Sequence, residues 1–167
     1  MELHLSGKTV LVAAASQGLG KAIAKRFVQE GVRTFICARD GAVLQQTAQE
    51  IGATGIVCDL TDPLAVANLV EQVGAVDILV TNAGGPKPGK FSELAVRDWE
   101  DAFQLTFMSA VKLIHQVLPT MQEKRWGRII CLTSTSVKQP IKNLITSNAI
   151  RSAVANLAKT VLSLISI

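Results

Sequence analysis

The sequence predicts an α/β fold, a doubly wound parallel sheet with five visible strands and helices on both faces. Three observations predict it. Short β-branched apolar runs alternate with helical stretches through short connections, the pattern of repeated right-handed strand–helix–strand crossovers. Hydrophobic residues make up 49% of the chain but aromatics only 4%, so the interior is built from Val, Ile, Leu and Ala, as in a sheet covered on both sides. Finally, the glycines and special polar residues fall at one end of the strand-like runs. "ASQGLG" follows the first, Arg39 the second, Asp59 the third, "TNAGG" the fourth and "TSTS" the fifth. Ligands of such sheets bind beyond the carboxyl ends of the strands.

Each element has its own signal. "KTVLVAAA", residues 8–15, reads as a buried strand. A glycine-rich turn leads into a helix over 19–30, which Gly31 stops. "VRTFICA", 32–38, is a second strand; Asp40 can cap a helix over 41–51, and Gly52 closes it. "ATGIVCD" is a third strand. "TDPLAVANLVEQV" carries a capping Thr61 or Asp62 and Pro63 in its first turn, a strong start signal. "VDILVTNAG" is the fourth strand. After the loop "GGPKPGK", a long helix spans about 97–123, with Pro119 kinking or ending it. "GRIICLTST" is the fifth strand, and "TSNAIRSAVANLAKTVLSLI" the last helix. The expected strand order is 3-2-1-4-5.

The 167 residues suit a single domain. The net charge of +4 is spread along the chain: Lys21, Lys25 and Arg26 share a helix face, and Lys124, Arg125 and Arg128 flank a turn. No basic stripe or aromatic platform is visible in the sequence, so nucleic acid is not expected as a partner. Cys37, Cys58 and Cys131 fall in β-like runs without metal-ligand spacing and read as small buried hydrophobes of a reducing cytoplasm, with no metal site. "MELHLSGKTV" has no apolar core of a secretory signal, and the apolar runs are too short or interrupted to span a bilayer.

"SQGLGKAIA" feeds a helix N-terminus, whose free N–H groups and dipole suit a phosphate, and Gly18 and Gly20 permit close backbone approach. A tight turn without ligand gives the same pattern; the place between first strand and first helix favours the phosphate. Sites that prefer NAD put a carboxylate at the end of the second strand. Ala38 and Arg39 stand there, and a guanidinium fits a 2′-phosphate, so NADP(H) is expected over NAD(H). An exposed, solvated arginine is the plain alternative.

These residues together resemble the short-chain dehydrogenase/reductase family, from "GKTVLVAAASQGLGKAIA" through "CDLTD", "ILVTNAGG" and "LPTMQEKRWGRIICLTSTS" to the final helix. The resemblance implies that Ser16, Gln17, Gly18, Leu19 and Gly20 hold the pyrophosphate and that Arg39 meets the adenosine phosphate. It implies that Asp59 and Leu60 border the adenine, and that Asn82, Ala83 and Gly84 run beside the ribose and nicotinamide. It also implies a catalytic Asn, Ser, Tyr and Lys, and here the chain departs. Thr106 stands at the Asn position, Ser134 at the serine, Ser147 at the tyrosine and Arg151 at the lysine. A tyrosine works as acid/base because a nearby cation lowers its pKa towards neutrality. A serine hydroxyl starts too high for that, and Arg151 can bind ribose but cannot join a proton relay. Ser147 can instead be the N-cap of the last helix, and Lys138 or Lys142 a substitute acid or a solvated charge. The turn also begins Ala13-Ala14 where the family has Thr-Gly, a cost of about 1 kcal/mol if Ala14 needs positive φ.

Relative to the family, the C-terminal strands and substrate-covering segment are lacking. Exposed apolar faces on the last two long helices would then make a homo-oligomer. The resemblance implies an NADP(H)-dependent oxidoreductase acting on a small carbonyl or alcohol substrate, in the cytoplasm and without a membrane. The opposing reading is a non-catalytic nucleotide-binding protein or an inactive truncated remnant. A methyltransferase on the same sheet would want an acidic residue where Arg39 stands and leaves "NAGG" unexplained.

Overall fold

The computed structural model describes residues 4–165, with side chains over 4–161; the end of "LSLISI" lies outside them. The element order is β1 (Thr9–Val12), α1 (Gly18–Gln29), β2 (Arg33–Ala38), α2 (Gly41–Ile51), β3 (Thr54–Val57), α3 (Pro63–Val73) and β4 (Ile78–Thr81). Then follow α4 (Val96–Ala102), a π-helical segment (Phe103–Met108), α5 (Ser109–Glu123), β5 (Arg128–Cys131) and α6 (Ile145–Ile165). All strands are parallel in the order β3-β2-β1-β4-β5, as the sequence predicts.

Side-chain alternation along the strands sorts the core into two layers. Val10, Val12, Ile36, Ile78 and Val80 point to one face and pack under Ala24 of α1 and Leu44, Ala48 and Ile51 of α2. Leu11, Cys37 and Leu79 point to the other, against Val66 and Leu69 of α3, Leu113 and Val117 of α5 and Val161 of α6. Strand β1 sits between β2 and β4, so the order in which strands are added reverses beside it, and the crevice lies at that switch point.

The helix starts follow the predicted chemistry. Asp40 caps α2 by accepting from Val43 N–H at 3.1 Å. Of the two candidates for α3, Asp62 is the cap, accepting from Leu64 N–H at 2.8 Å. Gly52 ends α2 in the left-handed region.

Three expectations are corrected. Pro119 lies inside α5, which continues to Glu123, so it does not end the helix. The long helix is not uniform: it widens into the π-helical segment, where Ser109 Oγ donates to the Leu105 carbonyl at 2.6 Å. Ser147 is the third residue of α6 rather than its N-cap, because Ile145 already begins the helix. The cysteines are free; Cys37 and Cys58 are buried, Cys131 partly so, and Cys58 lies just past β3 rather than within it. Burial pushes the Cys37 thiol up to about 12 and the Cys58 thiol up to about 11, so neither is a thiolate at neutral pH.

Among the described residues, one large hydrophobic in the exposed class, Phe103, lies on the long helix expected over 97–123, and the others, such as Leu64, Phe91 and Ile130, lie elsewhere. No described helix is long and apolar enough to cross a membrane.

Candidate functional site

A cleft of about 440 Å³ opens at the carboxyl ends of the strands. Ala14, Ser16 and Gln17 line it from the turn after β1, Ala38, Arg39 and Asp40 from the end of β2, Cys58, Asp59 and Leu60 from just past β3, and Ala83 and Gly84 from just past β4. Seven predicted residues thus meet in one hollow: Ser16, Gln17, Arg39, Asp59, Leu60, Ala83 and Gly84.

Gln17 is the N-cap of α1 but makes no side-chain cap, so the helix start offers its N–H groups to a ligand. The turn above it is tightly built. Ala13 N–H bonds to Val80 O and Ala15 N–H to Cys37 O, each at 3.0 Å, so the turn grows out of both neighbouring strands. Asn82 Nδ2 donates to the Ala14 carbonyl at 3.1 Å, and Thr47 Oγ1 to the Ser16 carbonyl at 2.8 Å. Gly20 lies behind the turn: a Cβ there would sit 2.7 Å from Ala14 O and 2.8 Å from Ala15 Cα. Gly20 therefore permits packing of α1 on the turn, while Leu19 is 69% exposed; neither lines the cleft. Ala14 does adopt positive φ, 47°, so the methyl carries the strain expected of it.

Arg39 is exposed on the wall between this cleft and a second hollow of about 480 Å³, lined also by Thr61, Asp101, Gln104 and Leu105. Asp40 also lines the cleft, with its Oδ1 engaged by the Val43 N–H. Asp59 accepts from the Thr61 N–H at 2.9 Å and hydroxyl at 2.8 Å. These two bonds, with Arg39 and Lys112 nearby, hold its carboxyl below the usual carboxylate range.

The residues at the family's catalytic positions form a separate group. Ser147 is 7% exposed, and its Oγ accepts from Arg151 Nε at 3.2 Å, one helical turn on. The guanidinium also reaches the carbonyls of Leu132 at 3.3 Å and Thr133 at 3.5 Å, tying α6 to the end of β5. Burial pulls the pKa of Arg151 below its usual value. Ser134 Oγ accepts from Ser136 N–H at 3.1 Å and so caps a short 3₁₀ turn. Thr106 lies in the π-helical segment, 6% exposed, its Oγ1 without a protein hydrogen-bond partner. It faces a cavity of about 10 Å³ shared with Thr81, Asn82, Ser109 and Arg151, the size of one water. Lys138 and Lys142 are exposed.

Sequence reasoning missed Leu105 as a wall of both hollows and Gln104 as a wall of the second, because the π-helical segment that carries them leaves no sequence signal. Thr47 was missed too, although a Thr on the buried side of a helix facing a turn is a findable hint.

The turn, the helix start and the cleft at the switch point define a Rossmann-type nucleotide-binding fold. The model of the short chain dehydrogenase family matches residues 8–164, and the chain belongs to that family. It is 38% identical over 160 residues to the protein named ketoacyl reductase 1 of the granaticin polyketide synthase of Streptomyces violaceoruber, covering 89% of this chain and 59% of the relative. It is 31% identical over 138 residues to 3-oxoacyl-(acyl-carrier-protein) reductase of Escherichia coli (strain K12), covering 79% of this chain and 57% of the relative. Among solved structures it is similar to a variant of actinorhodin polyketide ketoreductase with NADPH, at TM-score 0.86 and 34% identity, over 94% of this chain and 65% of the other. An NADPH-bound short chain oxidoreductase from Pseudomonas aeruginosa PAO1, described as containing an atypical catalytic center, superposes at TM-score 0.88 and 29% identity, over 93% of this chain and 65% of the other. The chain thus spans about 60% of the length of these curated relatives.

Proposed function

We propose that the chain binds NADP(H) and serves an oxidoreductase of the short-chain type that acts on a carbonyl or alcohol group. One observation carries the cofactor preference: Arg39 stands on the cleft wall at the end of β2 while the carboxylate of Asp40 is committed to Val43. A guanidinium there binds a 2′-phosphate by charge-assisted bonds, whereas an NAD site would want a carboxylate free for the ribose hydroxyls. The NADPH complexes of the two structural relatives support the same reading.

The residues fit the cofactor. The uncapped start of α1 and the close packing of Gly20 under Ala14 leave a backbone cradle for a pyrophosphate. Asp59 and Leu60 would flank the adenine, and Asn82, Ala83 and Gly84 the ribose and nicotinamide. Bound NADPH supplies a hydride. Ser134 would orient the substrate oxygen, and Arg151, held against the β5 carbonyls, would place positive charge near the ribose. No tyrosine stands at 147 to deliver the proton, so solvent or another side chain must. Turnover by the chain is therefore the decisive assay.

NADPH oxidation is followed across a panel of carbonyl compounds. The proposal expects turnover that falls at least about tenfold in Ser134→Ala and a KM for NADPH, but not for NADH, that rises in Arg39→Ala. NADPH binding without turnover in the wild type, with turnover appearing in Ser147→Tyr/Arg151→Lys, would instead establish the non-catalytic reading.

A further inference from the structure

Beside the reactive corner, the loops that leave β4 and β5 are stitched together. The first runs from Ala83 and Gly84, on the wall of the cleft, to Gly89, Lys90 and Phe91. There Gly89 N–H donates to the Asn143 carbonyl at 2.7 Å, and Gly89 and Leu144 form a parallel bridge. Thr146 Oγ1 donates to the Lys87 carbonyl at 3.3 Å, which fastens the start of α6 to the same loop. Asn148, one residue past Ser147, holds the other side. Its Oδ1 accepts from Ile141 N–H at 3.3 Å and its Nδ2 donates to the Ile141 carbonyl at 3.0 Å. These bonds frame a third hollow, of about 410 Å³, a size that suits a small molecule.

The lining has a definite chemistry. Phe91 is 71% exposed, Ile141 is exposed too, and Pro140 and Ile145 continue the apolar wall. Phe91 makes an edge-to-face contact with Trp99, the ring centroids 6.1 Å apart. Large apolar side chains left open around one hollow mark a place where apolar matter binds. Two cations, Lys90 and Lys142, share the lining, and no carboxylate does. Lys90 Nζ lies 3.6 Å from Glu93 Oε1. Lys142 is exposed and, among the described residues, has no ion-pair partner.

We propose that this hollow is the subsite for the part of the substrate remote from its reacting carbonyl, and that it selects substrates whose apolar chain carries a carboxylate. The proposal rests on the oxidoreductase reading above. Phe91, Pro140, Ile141 and Ile145 take the chain, and Lys142 pairs with the carboxylate. One unpaired lysine balances a singly charged group, whereas a phosphate would leave charge over. A neutral chain gains nothing from Lys142 and a small anion nothing from Phe91, so the joint requirement discriminates against both. The placement fits as well. Ser147 and Asn148 are neighbours in the first turn of α6, and Ser134 opens the loop that carries Pro140 to Asn143. A chain anchored in the hollow thus lies beside the corner where the carbonyl would react.

The full chain, with NADP⁺ at saturation, is titrated calorimetrically with octanoate, octanol, octyl phosphate and acetate. Octanoate is expected to bind at least about tenfold more tightly than octanol or acetate, and octyl phosphate no more tightly than octanoate. Lys142→Gln is expected to bring octanoate down to the level of octanol, and Phe91→Ala to weaken octanoate and octanol alike by about tenfold. Both side chains are exposed, and unchanged NADPH binding is the check on folding. Octanol bound as tightly as octanoate, octyl phosphate bound more tightly, or an octanoate affinity indifferent to Lys142→Gln would overturn the proposal. The titration needs no turnover, so the two readings fail separately. Octanoate bound through Lys142 by a chain that reduces no carbonyl compound would leave the site standing and sink the oxidoreductase reading. Turnover of neutral ketones without octanoate binding would sink the site alone.

Discussion

The cleft built by β1 to β4 and the corner where β5 meets α6 show opposite relations between sequence and chemistry. In the cleft, the proposed cofactor site would rest largely on backbone groups and small residues: an uncapped helix start, a close approach at Gly20, and one arginine on the wall. Such a site tolerates drift, and even Ala14 at φ 47° is accommodated. At the corner, family chemistry depends on the identities of a few side chains, and Thr106, Ser147 and Arg151 have changed them. The local geometry is nevertheless orderly, with Arg151 bonded to Ser147 and to two carbonyls just past β5.

Changes to the two regions should therefore fail differently. The largest effect is expected from Gly20→Ala, whose Cβ meets the Ala14 carbonyl and Ala15 Cα; urea denaturation should show a loss of about 1–3 kcal/mol, and NADPH binding should suffer with it. Arg151→Ala strips partners from Ser147 and from carbonyls of Leu132 and Thr133, and should cost about 1–3 kcal/mol while NADPH affinity falls much less than in Gly20→Ala. Ala14→Gly relieves a left-handed alanine and should stabilise by about 1 kcal/mol, read as a raised Tm. Thr106→Val replaces a buried hydroxyl without a protein partner by an isostere. Unless a bound water satisfies that hydroxyl, the change should be neutral or slightly stabilising.

Asp77, just before β4, adds a test by pH. Burial alone raises the Asp77 carboxyl, but the Thr9 N–H and Lys124 outweigh it and hold it below the usual carboxylate range. The stability it contributes is present above the unfolded-state value of about 3.9 and is lost as pH falls through the lower folded value. Asp77→Asn should flatten the acid limb of a stability–pH curve and leave stability above neutrality independent of pH.

What was legible follows the same division. Asp40, Gly52, Asp62 and Pro63 announce helix ends through local chemistry, and the sheet order follows from the alternation of strands and helices. Seven cleft residues were found because each stands at a strand tip. The π-helical widening at Phe103–Met108 was hidden, since a run such as "FQLTFM" keeps an ordinary helical pattern. The contacts of Arg151 were hidden for another reason: its carbonyl partners lie 18 and 19 residues earlier and have no side-chain signature.

The central claim, that the binding half is intact and reads a 2′-phosphate, is tested most directly by titrating the chain with NADPH and with NADH, following the blue shift of nicotinamide fluorescence. The account predicts that NADPH binds at least about tenfold more tightly than NADH and that Arg39→Ala abolishes the difference. Equal affinity for the two cofactors, or binding of neither, would contradict it.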